Sequence, residues 1–445
     1  DNTFTGQTVI NGGTLVVNSI NSVNGGNPAF DASGLGAPTT VANGTISIGY
    51  SSTAATLRYT GATGTISGAA TTAGAHTYNL TGGNATIEVT NAATELTLSG
   101  VISGAGGYTK AGPGTLIIGA SSTFTGPLFI NAGILRGAAN VSVSSSSSPV
   151  TIGASGTLDI FETTGSRTST IGALAGAGTV LNSGTTAKTL IIGGSNTSTT
   201  FSGSFAAGGV TGNVIRKLGS GVLTLTGTSA WTGTTDLQSG VLRIGANNAL
   251  ATNAAMTIGN VASGVVQLQI AANTSQTLGA NSGGTTALSF YGTASNVFSN
   301  ASVLIENGAT LTIGATNITF NGTGVATGNP QAFIYAAGNG QLSFNADRTF
   351  NIGDSSLVGA TLAELVVSAT ISSAGAFGPV KSGFGNLLFA GTNTYTGNTT
   401  LTAGGLFLDY ATLNTSKINA TGALALNGGG NLTLLGNASA DTSLI

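Results

Sequence analysis

A fixed spacing that recurs along the chain constrains its fold more than any other feature. Three segments begin with the pattern Lys-x-Gly-x-Gly, at Lys110, Lys217 and Lys381. An aromatic residue stands fourteen positions after each lysine, within an aromatic-Thr-Gly triplet: Phe124, Trp231 and Tyr395. A Gly-x-Leu segment closes each copy. Because Phe, Trp and Tyr interchange at one position, we interpret that position as a packing slot, since catalysis would not permit the exchange.

A partial copy begins the chain, where the triplet is present without the lysine segment. The copies cover about 1–17 (partial), 109–137, 217–245 and 381–409. The structural positions of the repeat are Lys110, Phe124, Gly126, Lys217, Trp231, Gly233, Lys381, Tyr395 and Gly397, with Phe4 and Gly6 in the partial copy. The spacers between the copies differ in length, and they contain similar short strand-like segments. Repeated strand–turn units with variable insertions indicate a solenoid.

Short segments that alternate apolar and polar residues predict half-buried strands, bounded by glycine turns. Val222–Thr226 and Gly240–Ile244 are clear examples, whereas Thr234–Leu237 is weaker. Outside the repeats, Val265–Ile270 and Ala309–Ile313 alternate most cleanly. The connecting turns are too short for crossover helices. We therefore predict an all-β fold, a right-handed parallel β-helix that forms a single elongated rod.

The motif Lys-x-Gly-x-Gly-x-Leu, followed by Thr-Tyr-Thr-Gly and Ala-Gly-x-Leu, resembles the passenger-associated transport repeat, also called the autotransporter-associated β-strand repeat. That family occurs in large secreted or surface-displayed bacterial proteins. The resemblance implies a right-handed parallel β-helix with about 20 to 25 residues per coil. It also implies an extracellular or cell-surface location. It does not specify an activity, because such passengers include adhesins, structural proteins and some enzymes.

The composition favours a folded β-protein without strong electrostatic partners. Charged residues make up 5% of the chain, against about 25% in ordinary domains. Hydrophobic residues reach 40%, enough to offset the chain entropy that keeps polar sequences disordered. The net charge of −2 argues against nucleic acid as a partner. The sequence lacks cysteine, and no apolar run is long enough for a transmembrane helix.

We expect one continuous β-helix over 1–445, because no linker divides the chain. Glycine and proline interrupt the strand pattern at 21–44, and serines fill 141–149. Both segments are therefore candidates for protruding loops, as is 321–330. The chain begins with Asp1 rather than methionine, so we expect a processed or excised segment whose export signal has been removed.

Candidate chemistry is sparse. His76 is the only histidine, and without a second histidine or a cysteine it reads as a surface or hydrogen-bonded side chain. Asp347, Arg348, Asp354 and Glu364 form the best local cluster of charges. Glycoside hydrolysis would need two carboxylates close together, and isolated charges explain this cluster better. We interpret the three repeat lysines as turn residues that snorkel or pair with a carbonyl. We predict no catalytic, cofactor-binding or metal-binding residue.

Three classes of function stay open. The first is a structural, non-catalytic component of a surface fibre or a rigid stalk, and the scarcity of titratable groups favours it. The second is an adhesin that binds a glycan or a cell-surface partner. The third is a polysaccharide-active enzyme. Uncapped strands at both ends lead us to expect head-to-tail self-association or continuation into a longer chain.

Overall fold

The computed structural model describes residues 2–20, 23, 33–50, 53–61, 76–164, 167–210, 212–259, 264–280, 286–291, 301–314, 317–321, 331–354 and 363–436. These residues form strands and turns, and none of them is helical. Accordingly, the described part of the chain offers no helix with the length and hydrophobicity to span a bilayer. The chain divides into two compact units, Asp1–Asn213 and Val214–Ile445.

The first unit contains eighteen described strands. They are β1 (Thr8–Ile10), β2 (Gly13–Val17), β3 (Ile46–Ile48), β4 (Ala55–Tyr59), β5 (Tyr78–Leu80), β6 (Ala85–Val89), β7 (Glu95–Leu98), β8 (Ile102–Ser103), β9 (Tyr108–Ala111), β10 (Thr115–Ile118), β11 (Leu128–Gly137), β12 (Pro149–Asp159), β13 (Arg167–Ile171), β14 (Ala173–Gly176), β15 (Thr179–Leu181), β16 (Lys188–Ile192), β17 (Thr199–Phe201) and β18 (Ser204–Ala206).

Strands of the first unit stack in parallel from one coil to the next. One sheet contains β1, β3, β5 and β8, and β13 pairs with β16. The long strands β11 and β12 are each part of two series of parallel strands. Before β11 the two series are β2-β4-β6-β9 and β7-β10, and after β12 they are β14-β17 and β15-β18. A register shift between Ile130 and Ala132 divides the two halves of β11.

The second unit contains twenty-two described strands. They are β19 (Val214–Lys217), β20 (Val222–Leu225), β21 (Thr235–Leu237), β22 (Gly240–Ile244), β23 (Met256–Gly259), β24 (Val266–Ile270), β25 (Ser275–Leu278), β26 (Thr286–Tyr291), β27 (Ala301–Ile305), β28 (Thr310–Ile313), β29 (Asn317–Asn321), β30 (Ala332–Ala336), β31 (Gln341–Phe344), β32 (Arg348–Ile352), β33 (Leu365–Val367), β34 (Thr370–Ser373), β35 (Pro379–Ser382), β36 (Asn386–Phe389), β37 (Thr399–Leu401), β38 (Gly405–Asp409), β39 (Leu424–Leu426) and β40 (Asn431–Leu435).

The described residues of the second unit form three parallel sheets. One follows β20-β22-β24-β27-β30-β33-β36-β38-β40, and another follows β19-β21-β23-β26-β29-β32-β35-β37-β39. The third follows β25-β28-β31-β34. Because the chain visits the sheets in turn and each strand pairs with its counterpart one coil later, the architecture is a parallel β-helix. The all-β and parallel-coil predictions are confirmed; the right hand stays a prediction.

Coil length varies more than the resemblance implied. Register partners are 19 residues apart at Leu387 and Leu406, and 35 apart at Val266 and Ala301. Coils of the repeat contain two described strands, and β25, β28, β31 and β34 add a strand of the third sheet to other coils. A third strand does not by itself make a coil long, because the coil that contains β34 spans 22 residues from Leu365 to Leu387.

The core is a set of columns of stacked apolar side chains. In most strands residues alternate between the interior and the outside, as in β22, where Leu242 and Ile244 are buried and Arg243 between them faces outward. One buried column of the second unit runs through Leu223, Leu242, Leu268, Val303, Ile334, Val367, Phe389 and Leu408. Each fully buried aliphatic side chain contributes about 1.5–3 kcal/mol, so the columns hold successive coils together.

The serine segment 141–149 is buried in part. Ser144 and Ser148 are buried, and the Ser148 hydroxyl donates a 2.9 Å hydrogen bond to the carbonyl of Phe124. Through Ser148 the segment is tied to the backbone of the adjacent coil, whereas Ser146 and Ser147 are exposed; protrusion of the segment stays a prediction. Of the other two candidate loops, residues 21, 22, 24–32 and 322–330 lie outside the described residues. Continuity of the two units as one rod stays a prediction.

Candidate functional site

The repeat lysines lie inside the β-helix rather than at its surface. Lys110 belongs to β9, Lys217 to β19 and Lys381 to β35, and all three side chains are buried. Each lysine alternates inward with the apolar residues of its strand and is in register with an apolar residue one coil later, such as Leu237 for Lys217. A buried ammonium group is costly unless hydrogen bonds replace its water shell.

Three backbone carbonyls surround each buried ammonium group. Lys217 Nζ donates to the carbonyl oxygens of Leu218 at 2.5 Å, Gly219 at 2.8 Å and Ser239 at 3.2 Å. Leu218 and Gly219 belong to the turn after β19, whereas Ser239 precedes the strand of the next coil. One side chain thus joins the turns of two consecutive coils. We call this arrangement the lysine cage.

The other two full copies repeat the cage with the same spacing. Lys110 Nζ donates to the carbonyl oxygens of Ala111 at 3.0 Å, Gly112 at 2.7 Å and Ala132 at 2.9 Å. Lys381 Nζ donates to those of Ser382 at 2.7 Å, Gly383 at 2.8 Å and Ala403 at 3.0 Å. In every copy the acceptors follow the lysine by one, two and 22 positions. The repeat motif therefore encodes a hydrogen-bonded contact between coils.

Glycine is required where the next coil passes the ammonium group. Gly240 and Gly404 have left-handed backbones, with φ of 72° and 69°. A Cβ atom would lie 3.0 Å from Lys217 Nζ at Gly240 and 2.8 Å from Lys381 Nζ at Gly404. Both the backbone conformation and the close approach exclude larger residues. This explains the glycine of the closing Gly-x-Leu segment.

Burial changes the proton affinity of the caged amines. It lowers the pKa of Lys110, Lys217 and Lys381 to about 8, and the nearby carboxylates of Glu88 and Glu364 oppose that shift at Lys110 and Lys381. At pH 7 the amines are therefore still mostly protonated, and each has the three N–H groups that its cage uses. These groups are occupied by the protein itself, so the cage serves a structural role.

The aromatic position of the repeat is a buried slot in each full copy. Phe124, Trp231 and Tyr395 are each at most 3% exposed. Phe124 packs edge-to-face on Tyr108, with ring centroids 5.3 Å apart, and the Tyr395 hydroxyl forms a 2.7 Å hydrogen bond with that of Thr399. In the partial copy, Phe4 is 43% exposed.

The glycines that follow the aromatic slot lie against backbone of the preceding coil. A Cβ atom would lie 2.8 Å from the carbonyl oxygen of Gly106 at Gly126, and 2.7 Å from Cα of Phe377 at Gly397. Gly233 is half-buried at the corresponding position, and Gly6 of the partial copy is exposed. At Gly126 and Gly397 the triplet therefore marks a close approach of two coils.

His76 and two carboxylates of the charged cluster contact backbone groups. His76 is buried, and its Nδ1 lies 2.7 Å from the carbonyl oxygen of Gly44. Asp347 accepts a hydrogen bond from the amide of Gly378. Glu364 is buried and accepts from the amide of Asn386 at 2.7 Å.

Arg348, also part of that cluster, is buried and donates to the carbonyls of Ile313 and Asp347. Asp354 is exposed. Three of the four members of the cluster thus bond backbone groups of the β-helix. Within the described ranges, no three His, Cys, Asp or Glu side chains come together as a metal site.

Two further lysines are buried outside the repeats. Lys188 Nζ lies 3.7 Å from Glu162, whose other carboxylate oxygen accepts from both main-chain and hydroxyl groups of Thr164. Lys417 Nζ donates to the carbonyl of Ala390 at 2.8 Å and lies over the ring of Tyr410. All five lysines of the chain are therefore buried. The sequence analysis expected the repeat lysines to snorkel or to pair with a carbonyl, and they pair with carbonyls; that all five lysines are buried was not predicted.

A signal for the cages was nevertheless present in the sequence. The closing glycine follows the lysine by 23 positions in every full copy, at Gly133, Gly240 and Gly404. A constant lysine–glycine spacing indicates that the two residues meet across one coil. Lys188 and Lys417 have no such counterpart, so their burial could be found only in the structure.

Comparison with known proteins identifies the repeat. The model of the passenger-associated transport repeat matches residues 1–17, 109–136, 215–244 and 380–406. These are the three lysine-cage segments and the partial copy. The chain is thus a parallel β-helix that carries passenger-associated transport repeats, as its sequence predicted.

One similar protein is named an autotransporter. The chain is 32% identical over 243 residues to a protein named adhesin BmaC autotransporter, from Brucella suis biovar 1 (strain 1330). The match covers 54% of this chain but only 6% of the relative. No solved structure matches the chain. The repeat and the relative together support a surface-exposed autotransporter passenger, located at the cell surface or outside the cell.

Proposed function

We propose that this chain is a non-catalytic structural segment of a surface-exposed passenger, acting as a rigid stalk or fibre component. The observation that carries the proposal is the use of its cations: all five lysines are buried, and the three repeat lysines are each held by three carbonyls. A catalytic amine must reach a substrate. These amines instead connect neighbouring coils.

The buried carboxylates support the same interpretation. Asp159 accepts hydrogen bonds from Arg136 at 2.8 Å and from the Ser183 hydroxyl at 2.6 Å. Glu162 and Glu364 accept backbone amides. A glycosidase would instead present two carboxylates to a cleft.

The test is surface display of a passenger in which this chain separates the membrane-anchored part from a reporter epitope. We expect the natural chain to keep the epitope displayed during a proteinase K challenge. Replacing Lys110, Lys217 and Lys381 by methionine should lose that protection, whereas Asp354→Asn, at an exposed carboxylate, should not. Polysaccharide cleavage by the purified chain that Asp354→Asn abolishes would contradict the proposal.

The second candidate is adhesion. The relative is named an adhesin, and one sheet of the second unit carries polar and aromatic side chains on its outer side, among them Gln267 and Tyr335. Adherence assays with cells or immobilised glycans would test this candidate. It is compatible with a structural β-helix, because a binding face needs a rigid support.

Head-to-tail self-association is a further proposal about partners. Val9 of β1 and Val16 of β2 are each more than half exposed, and exposed apolar strands are templates for other chains. Sedimentation of the natural chain should then show oligomers that Val9→Lys with Val16→Lys removes. A natural chain that stays monomeric at high concentration would contradict self-association.

A further inference from the structure

The outer side of four neighbouring strands in the second unit carries a connected set of polar and aromatic side chains. We call it the glutamine face, formed by Arg243 of β22, Gln267 and Gln269 of β24, Ser302 of β27, and Phe333 and Tyr335 of β30. The inward residues between them, such as Leu268 and Ile334, are fully buried. The face therefore points away from the core.

Strand register brings these side chains side by side. Gln267, Ser302 and Phe333 are register partners on successive coils, and Arg243 is the partner of Gln269. Adjacent strands lie about 4.8 Å apart. The face is consequently a short ladder of amide, hydroxyl, guanidinium and aromatic groups on one rigid sheet.

Hydrogen bonds hold the side chains of the face in fixed orientations. Gln269 Nε2 donates to Gln267 Oε1 at 2.6 Å, and Gln267 Nε2 donates to the Tyr335 hydroxyl at 2.6 Å and to Ser302 Oγ at 3.1 Å. Arg243 Nη1 donates to Gln269 Oε1 at 3.2 Å. Groups that are already oriented lose little entropy when a ligand binds.

The face has hydrogen-bonding capacity beyond this network. The Tyr335 hydroxyl accepts from Gln267, so its own proton can be donated outward. Each glutamine carbonyl oxygen accepts one described hydrogen bond and has a second lone pair. A ligand that both donates and accepts at closely spaced positions would match these groups, as the hydroxyls of a sugar do.

Charge and shape restrict the ligand further. Arg243 is paired with both carboxylate oxygens of Glu306, so its charge is compensated and an anionic ligand gains little. The half-buried rings of Phe333 and Tyr335 offer apolar surface for the C–H faces of sugar rings. An extended chain suits a sheet better than a coiled one.

We propose that the glutamine face binds a neutral, linear glycan whose hydroxyls are equatorial. This inference rests on the adhesive candidate function, and it names the site and the ligand class. The structural proposal is tested independently by epitope protection, so a failure of one can be distinguished from a failure of the other.

The experiment is calorimetric and NMR titration of the whole chain with cellohexaose and chitohexaose, and with maltohexaose as a curved control. We expect cellohexaose or chitohexaose to bind and maltohexaose to bind at least roughly tenfold more weakly. Gln267→Ala and Tyr335→Phe should each weaken binding roughly tenfold, because each removes one hydrogen-bonding group. Tyr335→Phe keeps the ring and therefore the packing.

Tyr50→Ala is the matched control, because Tyr50 is an exposed aromatic residue of the other unit. It should leave binding unchanged. Absence of binding by both extended hexaoses would overturn the inference. Binding that survives both face variants would place the glycan elsewhere and overturn the site, while leaving adhesion standing. If Tyr50→Ala weakened glycan binding as much as the face variants do, the binding would be non-specific stacking, and the proposed site would be overturned.

Discussion

At the scale of single residues, the repeat lysine shows how a charge is accommodated in a core. Lys381 is surrounded by three carbonyls, and the carboxylate of Glu364 acts on it electrostatically. Charge-assisted hydrogen bonds are about twice as strong as neutral ones. They offset the loss of water around the ammonium group, and they tie turns that are far apart in sequence.

Lys381→Met should destabilise the second unit. Methionine has a similar length, but three carbonyls lose their hydrogen-bond donor. Because the variant no longer has to bury an ammonium group, we expect the free energy of unfolding to fall by only about 1–3 kcal/mol. Phe384→Ala is the control, because Phe384 lies in the same turn and is 83% exposed. Chemical unfolding measures both; equal stability of the two variants would show that the cage contributes nothing.

Stability should also depend on pH through the caged amines. Their pKa is about 8 in the native state, against 10.5 for an ordinary lysine. Above pH 8 the unfolded chain therefore binds more protons than the native one, and the free energy of unfolding should rise with pH.

The useful window for this measurement is pH 8 to about 9.5, because buried tyrosines act in the opposite direction near pH 10 and above. Burial raises the pKa of Tyr78, Tyr108 and Tyr395. Lys381→Met should reduce the slope of stability against pH in this window. A slope of opposite sign would mean that the carbonyls raise the lysine pKa instead.

At the scale of strands and turns, most of the pattern could be read from the sequence. Gly240–Ile244 was predicted with the bounds that β22 has, and Val265–Ile270 differs from β24 by one residue. Period-two alternation suffices because each strand has one buried side. Pairing of the repeat lysines with a carbonyl was one of two predicted alternatives, but the acceptor 22 residues later was not predicted, because that contact depends on coil length, which strand patterns alone do not define.

The closing glycine gives a prediction at this scale. Gly404 and Gly429 share a left-handed φ of 69°, so alanine should cost each about 1 kcal/mol from backbone strain. At Gly429 no atom lies within 4 Å of the added Cβ, whereas at Gly404 it meets Lys381 Nζ at 2.8 Å. Thermal unfolding should therefore show a clearly larger loss for Gly404→Ala; equal losses would contradict the close approach.

The aromatic slot gives a second prediction at the scale of strands and turns. Trp231 is 3% exposed, so Trp231→Ala should destabilise by about 3–5 kcal/mol. Trp231→Tyr should be mild, because the other copies use Tyr and Phe at this position. Phe4→Ala, at the exposed aromatic of the partial copy, should have little effect. Equal and negligible changes in denaturant midpoint would show that the slot does not contribute to packing.

At the scale of the whole molecule, the sequence predicted coils but not their sizes. The coils that contain β25, β28 and β31 are longer than those of the repeat and include a strand of the third sheet. Nothing in the repeat specifies where such a strand is added. The glutamine face likewise depends on register across coils of different length, as between Gln267 and Ser302, so it too required the structure.

Taken together, the lysines of this chain are internal structural groups. Amine-reactive labelling at neutral pH, followed by mass spectrometry of peptides, measures this most directly. We expect the lysines to stay unmodified in the native chain and to be modified once it is unfolded: Lys110, Lys188, Lys217, Lys381 and Lys417. Modification of the three repeat lysines in the native chain at the rate of free amines would contradict this expectation.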